Sequence, residues 1–185
     1  MNKEEILRYL KTSSKTDDER LLSLIDECCD EIEKELTPKT LHRIFDCVVT
    51  ENEVTVGDVT FRSKRLAETV KGCDRVCIFG ATLGTECDRL LRRYSPTDLT
   101  RAMVLQACMS SKIEEVCDAL EDELRAQGLK LRQRYSPGYF DLDITENKKL
   151  FDMLELKKRI GLTLTDSYQM LPSKSVTAII GIEND

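Results

Sequence analysis

The longest stretch with a helical period is the feature that most constrains how this chain can fold. From about Leu99 to Gln127, apolar residues recur every three or four positions along one side, and Gly128 then ends the pattern. This side comprises Ala102, Met103, Ala107, Met109, Ile113, Val116, Cys117, Leu120 and Leu124. Glycine commonly follows a helix because it adopts the left-handed conformation of a C-terminal cap. The pattern predicts a long amphipathic helix over 99–127 at the centre of the hydrophobic core.

The segments around this helix alternate between helical and strand-like patterns. The run TDDERLLSLIDECCDEIEKEL predicts an amphipathic helix that begins with a capping box at Thr16 and ends before Pro38. Ser63 is expected to cap a shorter helix. Short β-branched runs predict strands over 40–61, 74–79, 129–135, 162–164 and 175–182.

These elements predict the fold class and the domain organisation. The fold is expected to be α+β, with a mixed, mostly antiparallel twisted sheet covered by helices. A chain of 185 residues can bury a sizeable core, so we expect one domain over residues 1–185. Within it, residues 1–37 form a helical N-terminal arm and residues 38–185 form the α+β core.

Charge and hydropathy exclude several classes of partner. The net charge is −6, and Lys and Arg are interleaved with Asp and Glu, which argues against a nucleic-acid partner. No apolar run approaches the roughly 20 residues that a membrane helix requires. The start of the chain, MNKEEILRYLK, has acidic residues where a signal peptide would have a basic region and an apolar core. We therefore expect a cytoplasmic protein with no membrane partner.

Eight cysteines and one histidine, His42, limit the metal and nucleophile chemistry. No C-x-x-C pair is present, so the spacing predicts no zinc site, and the thiols are expected to be small buried residues. One histidine also provides no recognisable Ser-His-Asp or Cys-His set. The sequence predicts no catalytic residue and no hydrolase chemistry.

Two further features leave alternatives open. The turn GATLG, between a buried strand and a helix, either cradles an anion or allows close packing of strand and helix. The adjacent residues Glu114 and Glu115 point about 100° apart, so they cannot form a carboxylate dyad. Such a pair usually lies on a solvated face, but Glu115 borders the apolar side and is a candidate to face a binding cleft.

Five ordered landmarks occur in the last third of the chain. The first is RYSPGY, from Arg134 to Tyr139, and a helical segment, ENKKLFDMLELKKRIG, follows it. The others are Leu164-Thr165-Asp166-Ser167, Met170 with Pro172, and Ser175-Val176-Thr177. In this order they resemble the activation domain of cobalamin-dependent methionine synthase, which carries an R-x-x-x-G-Y loop, a helix, L-T-(D/E)-S, Met-x-Pro and S-V-(S/T). The resemblance covers about residues 76–182 and is to a short, free-standing relative of that domain.

The resemblance implies a module that binds S-adenosylmethionine and presents its methyl group to cobalamin held by a partner methyltransferase protein. A separate electron-donor protein is implied as a further partner. Arg134 is then the expected anchor of the ligand's carboxylate, because a guanidinium fork binds a carboxylate with two hydrogen bonds. Ser136, Gly138 and Tyr139 are expected to complete the loop around the ligand, with Tyr139 either packed on it or wedged against the next helix.

A function of another class remains open. Family members also contact the ligand through an acidic residue in an aromatic-rich N-terminal segment and through an aromatic pair after the S-V-S strand. These 185 residues contain no tryptophan and no counterpart of either feature. The alternative is a non-catalytic interaction or regulatory module that kept the fold but lost S-adenosylmethionine binding, so the sequence does not decide whether the chain is part of an enzyme.

Overall fold

The computed structural model describes residues 1–184. The helices are α1 (Lys3–Tyr9), α2 (Glu19–Glu35), α3 (Lys64–Thr69), α4 (Thr85–Tyr94), α5 (Leu99–Ala126), α6 (Asn147–Leu154) and α7 (Leu156–Ile160), with a 3-10 turn at Ile144–Glu146. The strands are β1 (Lys39–Val49), β2 (Glu53–Val56), β3 (Val59–Arg62), β4 (Arg75–Thr82), β5 (Thr163–Leu164), β6 (Met170–Leu171) and β7 (Ser175–Ile182). Across residues 1–184, no helix combines the length and apolar character that a membrane crossing needs.

Five strands form one antiparallel sheet in the order β3-β2-β1-β4-β7, and β5 and β6 form a separate small hairpin. Helices cover both faces of β4, the strand between β1 and β7. The prediction of an α+β fold with a mostly antiparallel sheet and N-terminal helices is therefore confirmed.

Alternate side chains of β4 enter two hydrophobic clusters, as the two-residue period of a strand requires. Cys77, Phe79 and Ala81 pack in the cluster that includes residues of α1, α2, α4 and α5. Val76 and Ile78 pack in the other cluster, which includes residues of α3, α6 and α7. The sheet thus separates the long helices from the short helices near the C-terminal landmarks.

Helix α5 matches the predicted long helix closely. Asp98 caps its first turn by accepting a hydrogen bond from the Arg101 amide, and Gly128 follows it with a φ of +89°. Ile113 and Met109 are buried in the core as expected. The placement of Met103 on the buried side was wrong, because its side chain is 59% exposed.

The cap of α2 is also corrected. Asp18, rather than Thr16, accepts hydrogen bonds from the first amides of this helix, those of Arg20 and Leu21. The hydroxyl of Thr16 accepts from the amide of Asp18 itself, before the helix begins. An ionised carboxylate at the positive end of the helix dipole is a stronger cap than a hydroxyl. The predicted cap at Ser63 is confirmed, since its hydroxyl accepts from the Leu66 amide.

The predicted strand over 129–135 is not formed. Only two bridges join this segment to β7, Leu131 with Ile182 and Tyr135 with Ile179. Between them the chain advances four residues while β7 advances three, so one residue bulges out and interrupts the ladder. This irregular segment leads directly into the loop with the first landmark.

The GATLG turn favours close packing over anion binding. Gly84 precedes α4 with a φ of +85°, and a Cβ there would lie 2.9 Å from an oxygen of Glu86. The carboxylate of Glu86 therefore already lies against this turn, where an anion would have to bind.

Candidate functional site

A cavity of about 570 Å³ lies beside the loop that follows α5. Its walls come from loop residues 133–137, 139 and 140, the start of β7 at residues 175–177, and Met170 of β6. Arg65 and Thr69 of α3 and Glu114 of α5 complete the lining. This volume is within the usual range of sites for small molecules, about 300–1,000 Å³.

Three of the sequence landmarks meet at this cavity. Arg134, Ser136 and Tyr139 come from the R-x-x-x-G-Y loop, and Met170 comes from the Met-x-Pro turn. The S-V-T landmark contributes all three of its residues, Ser175, Val176 and Thr177. The L-T-D-S landmark lies apart, in a groove against α6 and α7 that Leu164, Thr165 and Asp166 line.

The bulge in the segment before the loop lies next to Arg134. Tyr135, the following residue, exchanges two backbone hydrogen bonds of 2.9 Å with Ile179 of β7. The Arg132 amide donates to the Gly181 carbonyl on the other side of the bulge. The backbone is therefore fixed on both sides of Arg134, while its side chain reaches the neighbouring helix α5.

Three carboxylates of α5 surround the guanidinium of Arg134. Nη1 donates to Asp118 Oδ1 and Glu121 Oε1, and Nη2 donates to Glu114 Oε2, each at 2.6 Å. The three acidic residues follow the i, i+4, i+7 spacing of one helix face. Burial opposes the charged form, but these hydrogen bonds outweigh it and raise the pKa of Arg134 above its usual value.

This arrangement leaves part of the guanidinium available. An arginine has five N–H donors, and three of those on Arg134 are used by α5. Within residues 1–184, Nε and the second hydrogen of Nη2 make no such bond. Two donors on neighbouring nitrogens are what a carboxylate fork requires. The side chain of Arg134 is 24% exposed, so it is accessible from the cavity.

Gly138 shapes the loop rather than the cavity wall. Its φ of +92° is in the left-handed region, which a residue with a Cβ rarely adopts. A Cβ at this position would lie 3.7 Å from Ile144, an ordinary contact. The turn itself therefore requires glycine at position 138. The Gly138 amide donates to the Leu142 carbonyl at 2.8 Å and closes the loop.

Asp141 ties the loop to the start of α3. Its carboxylate accepts from the Ser63 hydroxyl at 2.6 Å and from the Arg65 amide at 3.2 Å. The hydrogen bond from Ser63 is the main reason why the pKa of Asp141 is lowered. The Tyr135 hydroxyl donates to the same carboxylate at 3.4 Å. The loop is thus held to α3 at one end and to β7 at the other.

Two aromatic side chains form an exposed rim. Tyr139 is 64% exposed and Phe140 is 83% exposed, and both line the cavity. The Phe140 ring stacks on Tyr135 with centroids 6.1 Å apart, and the Arg65 guanidinium lies 5.5 Å from its centre. Phe140 and Arg65 were not among the residues predicted to form the site. Phe140 adjoins the motif, but nothing in the sequence places α3 beside it.

Of the two adjacent glutamates, Glu114 lies at the cavity and Glu115 does not. Glu115 accepts from the Met1 amine at 3.0 Å and from Lys112 at 2.8 Å, on the side of α5 that faces α1. Burial opposes ionisation of Glu115, but these two cations lower the pKa of its carboxyl. The expectation that Glu115 faces the cleft is not met at this cavity, which Glu114 lines instead, because the rotation of about 100° per residue places only one of them beside the loop.

The site can recognise a small molecule with both charges and a flat apolar group. The free edge of Arg134 suits a carboxylate, and Glu114 suits an ammonium group nearby. The exposed rings of Tyr139 and Phe140 provide stacking surfaces.

Known proteins resemble this chain both in sequence and in fold. The family model described as "Vitamin B12 dependent methionine synthase, activation domain" matches residues 64–185. A crystal structure of the MetH reactivation domain bound to AdoHcy superposes with a TM-score of 0.70 at 20% sequence identity. The alignment covers 96% of this chain and 69% of that chain. At this identity, the structural likeness establishes a shared fold.

Proposed function

Because the chain belongs to the family of vitamin B12 dependent methionine synthase activation domains, we propose that it is a reactivation module of a corrinoid methyltransferase system. In this role it binds S-adenosylmethionine and presents the methyl group to cobalamin held by a partner protein. The observation that carries the proposal is that three landmarks, separated along the chain, line one cavity of about 570 Å³.

The cavity has groups for each part of the ligand. The carboxylate binds to the free N–H groups of Arg134, and the ammonium group binds to Glu114. Tyr139 packs on the ligand at the exposed rim, and Ser136 and Gly138 hold the turn that presents it. The solved relative contains AdoHcy, which lacks the sulfur-bound methyl group of S-adenosylmethionine and the positive charge on that sulfur.

The acidic surroundings favour the methylated ligand. Glu114, Asp118 and Glu121 bring three negative charges to one guanidinium, and Arg125 pairs with Glu121 from outside the cavity. S-adenosylmethionine carries a positive sulfonium that AdoHcy lacks, so the same field attracts the donor more than the product. Release of AdoHcy after methyl transfer follows from this difference.

Transfer requires two other proteins. A partner protein would hold cobalamin, which would supply the methyl acceptor, and a separate electron-donor protein would supply the reducing electron. This chain contributes the position of the sulfonium methyl at the open side of the cavity, beside the exposed rings of Tyr139 and Phe140. The bond electrons remain on sulfur, which becomes the neutral thioether of AdoHcy.

The three carboxylate partners of Arg134 favour a second function. A guanidinium that already binds three carboxylates at 2.6 Å is a weaker anchor than a free one. A module that kept the partner surface of the family and lost the ligand would retain this internal cluster for stability. In that case the chain acts as a non-catalytic interaction or regulatory component.

Calorimetric titration separates the two functions. We expect saturable binding of S-adenosylmethionine, weaker binding of AdoHcy, and much weaker binding of adenosine, which lacks the amino-acid end. If no saturable binding of S-adenosylmethionine occurs at millimolar concentration, the interaction module is the correct reading. Equal affinity for adenosine and S-adenosylmethionine would show that Arg134 and Glu114 do not hold the amino-acid end.

A further inference from the structure

Two thiols from distant parts of the chain meet between helices α2 and α5. The Sγ atoms of Cys29, on α2, and Cys108, on α5, lie 3.9 Å apart, although 79 positions separate the two residues in sequence. Neither cysteine lines the cavity beside the loop. The thiol pair therefore lies outside the proposed S-adenosylmethionine site, and binding of that ligand does not account for it.

The two thiols differ in exposure. Six of the eight cysteines are buried, whereas Cys29 and Cys47 are partly exposed. Cys108 is 0% exposed, so a reagent in solution reaches the pair through Cys29. Cys47, the other partly exposed cysteine, donates to the Cys73 carbonyl at 3.5 Å rather than to a sulfur. Cys29 thus combines access to solvent with a second thiol beside it.

Cys29 is also the cysteine that ionises most readily. The contact with Cys108 is the main reason why the pKa of Cys29 is lowered. The Met1 amine and Lys3 add nearby positive charge, and together these effects outweigh burial. The pKa of each of the other seven cysteines is raised, chiefly by burial or, for Cys108, by the contact with Cys29. Because the thiolate is the reactive form of cysteine, the pair consists of one nucleophile and one neutral thiol.

We propose that Cys29 and Cys108 are an oxidation site, at which Cys29 reacts with a hydroperoxide and Cys108 then closes a disulfide between α2 and α5. An accessible cysteine with a second thiol beside it is the usual arrangement of a site that is oxidised reversibly. A disulfide requires about 2.05 Å between its sulfur atoms, so the two Sγ atoms must approach each other by about 2 Å. Rotation of the side chains about their Cα–Cβ bonds provides movements of this size.

The hydroperoxide is the oxidant in this reaction. The thiolate of Cys29 attacks one of its oxygens, the O–O bond breaks, and the departing oxygen takes up the proton that Cys29 had released. The product is a sulfenic acid, S–OH, on Cys29. The sulfur of Cys108 then attacks the sulfur of Cys29, and the Cys108 proton leaves with the hydroxide as water. Two thiols are thereby oxidised to one disulfide, and the hydroperoxide is reduced to an alcohol or, from hydrogen peroxide, to water.

The disulfide ties the N-terminal helices to the helix that carries the acidic partners of Arg134. Helix α2 precedes the sheet, and α5 holds Glu114, Asp118 and Glu121. A covalent bond between residues so far apart in sequence restricts the unfolded chain, so the oxidised protein should be the more stable form. The proposal does not depend on S-adenosylmethionine binding, since neither cysteine lines that cavity.

Treatment of the reduced whole chain with a small excess of hydrogen peroxide tests the proposal. We expect the thiols counted after denaturation to fall from eight to six, and mass spectrometry to find a peptide that joins Cys29 to Cys108. Dithiothreitol should restore all eight thiols. The melting temperature should rise by about 5–15 °C on oxidation and return on reduction. If the thiols are retained, or are lost without a bond between Cys29 and Cys108, the proposal is wrong.

Cys29→Ser and Cys47→Ser are matched variants, because each removes one partly exposed thiol. Cys29→Ser should abolish the rise in melting temperature caused by peroxide, and Cys47→Ser should retain it. Alkylation of the wild type by iodoacetamide needs no substitution, and Cys29 should react at least about tenfold faster than Cys47. Equal rates of alkylation at the two cysteines, or an undiminished response of Cys29→Ser to peroxide, would overturn the proposal.

Discussion

The two sides of α5 hold adjacent acidic residues in opposite electrostatic situations. On the side that faces α1, Glu115 lies between two cations, the Met1 amine and Lys112. On the side that faces the loop, Glu114 shares one cation, Arg134, with Asp118 and Glu121. The first side is balanced by the protein itself, whereas the second has more negative than positive charge.

The two glutamates are exposed to a similar extent. Glu115 is 43% exposed, and the Met1 side chain beside it is 2% exposed. Glu114 is 34% exposed and Arg134 is 24% exposed, and both line the cavity beside the loop. What differs is the balance of charge, because the excess negative charge around Arg134 borders a cavity where a cationic or zwitterionic ligand would relieve it.

The largest expected effect concerns the core between the two sides. Ile113 is 5% exposed, and Ile113→Asp should lower the free energy of unfolding by about 3–5 kcal/mol, because it buries an unpaired carboxylate. Met103→Asp on the same helix should change it by less than about 0.5 kcal/mol, since Met103 is 59% exposed. Chemical denaturation measures both. A similar loss of unfolding free energy for the two variants would mean that Ile113 and Met103 do not differ in burial.

The next effect concerns the loop side. Arg134→Ala should weaken S-adenosylmethionine binding by about 10- to 150-fold, the equivalent of roughly 1.5–3 kcal/mol for a charge-assisted pair. Arg134→Lys should recover only part of this, because an ammonium group lacks the fork.

Arg125→Ala is the matched control for Arg134. Arg125 also binds Glu121, at 2.7 Å, but does not line the cavity. Calorimetry should show that Arg125→Ala binds S-adenosylmethionine within about twofold of the wild type. If the Arg125 and Arg134 variants bind equally well, the loop is only a turn and Arg134 is only a structural residue.

A smaller effect separates the adjacent glutamates. Glu114→Gln should weaken S-adenosylmethionine binding about fivefold to tenfold, because a neutral amide is a poorer partner for an ammonium group. Glu115→Gln should leave binding unchanged, since Glu115 contacts Met1 and Lys112 instead. Equal losses of affinity for the two variants would remove the distinction between the sides of α5.

The smallest effect is on the dependence of stability on pH. The pKa of Glu115 is lowered in the folded protein, so its contribution is present above its unfolded pKa and is lost as the pH falls through its folded pKa. Glu115 is 43% exposed, and the contribution should be only a few tenths of a kcal/mol. Melting temperatures measured from neutral to acidic pH should therefore fall slightly less for Glu115→Gln than for the wild type. A steeper fall for the variant would contradict the ion pairs.

The parts of the fold set by local pattern could be predicted from the sequence. The period of apolar residues gave α5 to within one residue of its observed end at Ala126, because a 28-residue helix contains many repeats of its pattern. The predicted strand over 129–135 failed because its pairing with β7 depends on a bulge. The sequence around Leu131 and Tyr135 does not reveal that β7 advances three residues where this segment advances four.

The candidate site shows the same division. Arg134 and Tyr139 could be found because their motif is contiguous, and both line the cavity. The sequence could not show which of Glu114 and Glu115 faces the loop, since this depends on how α5 is rotated relative to a loop that follows it in sequence. The three carboxylates around Arg134 and the approach of Arg65 are likewise products of tertiary packing.

A crystal structure of the chain with S-adenosylmethionine or AdoHcy would show the proposed binding mode without any substitution. We expect the ligand to lie in the cavity beside the loop, with its carboxylate on the free edge of Arg134 and its ammonium group at Glu114. We also expect the sulfur to face the open side near Tyr139. A ligand bound elsewhere, or an amino-acid end that contacts neither Arg134 nor Glu114, would contradict the proposed site.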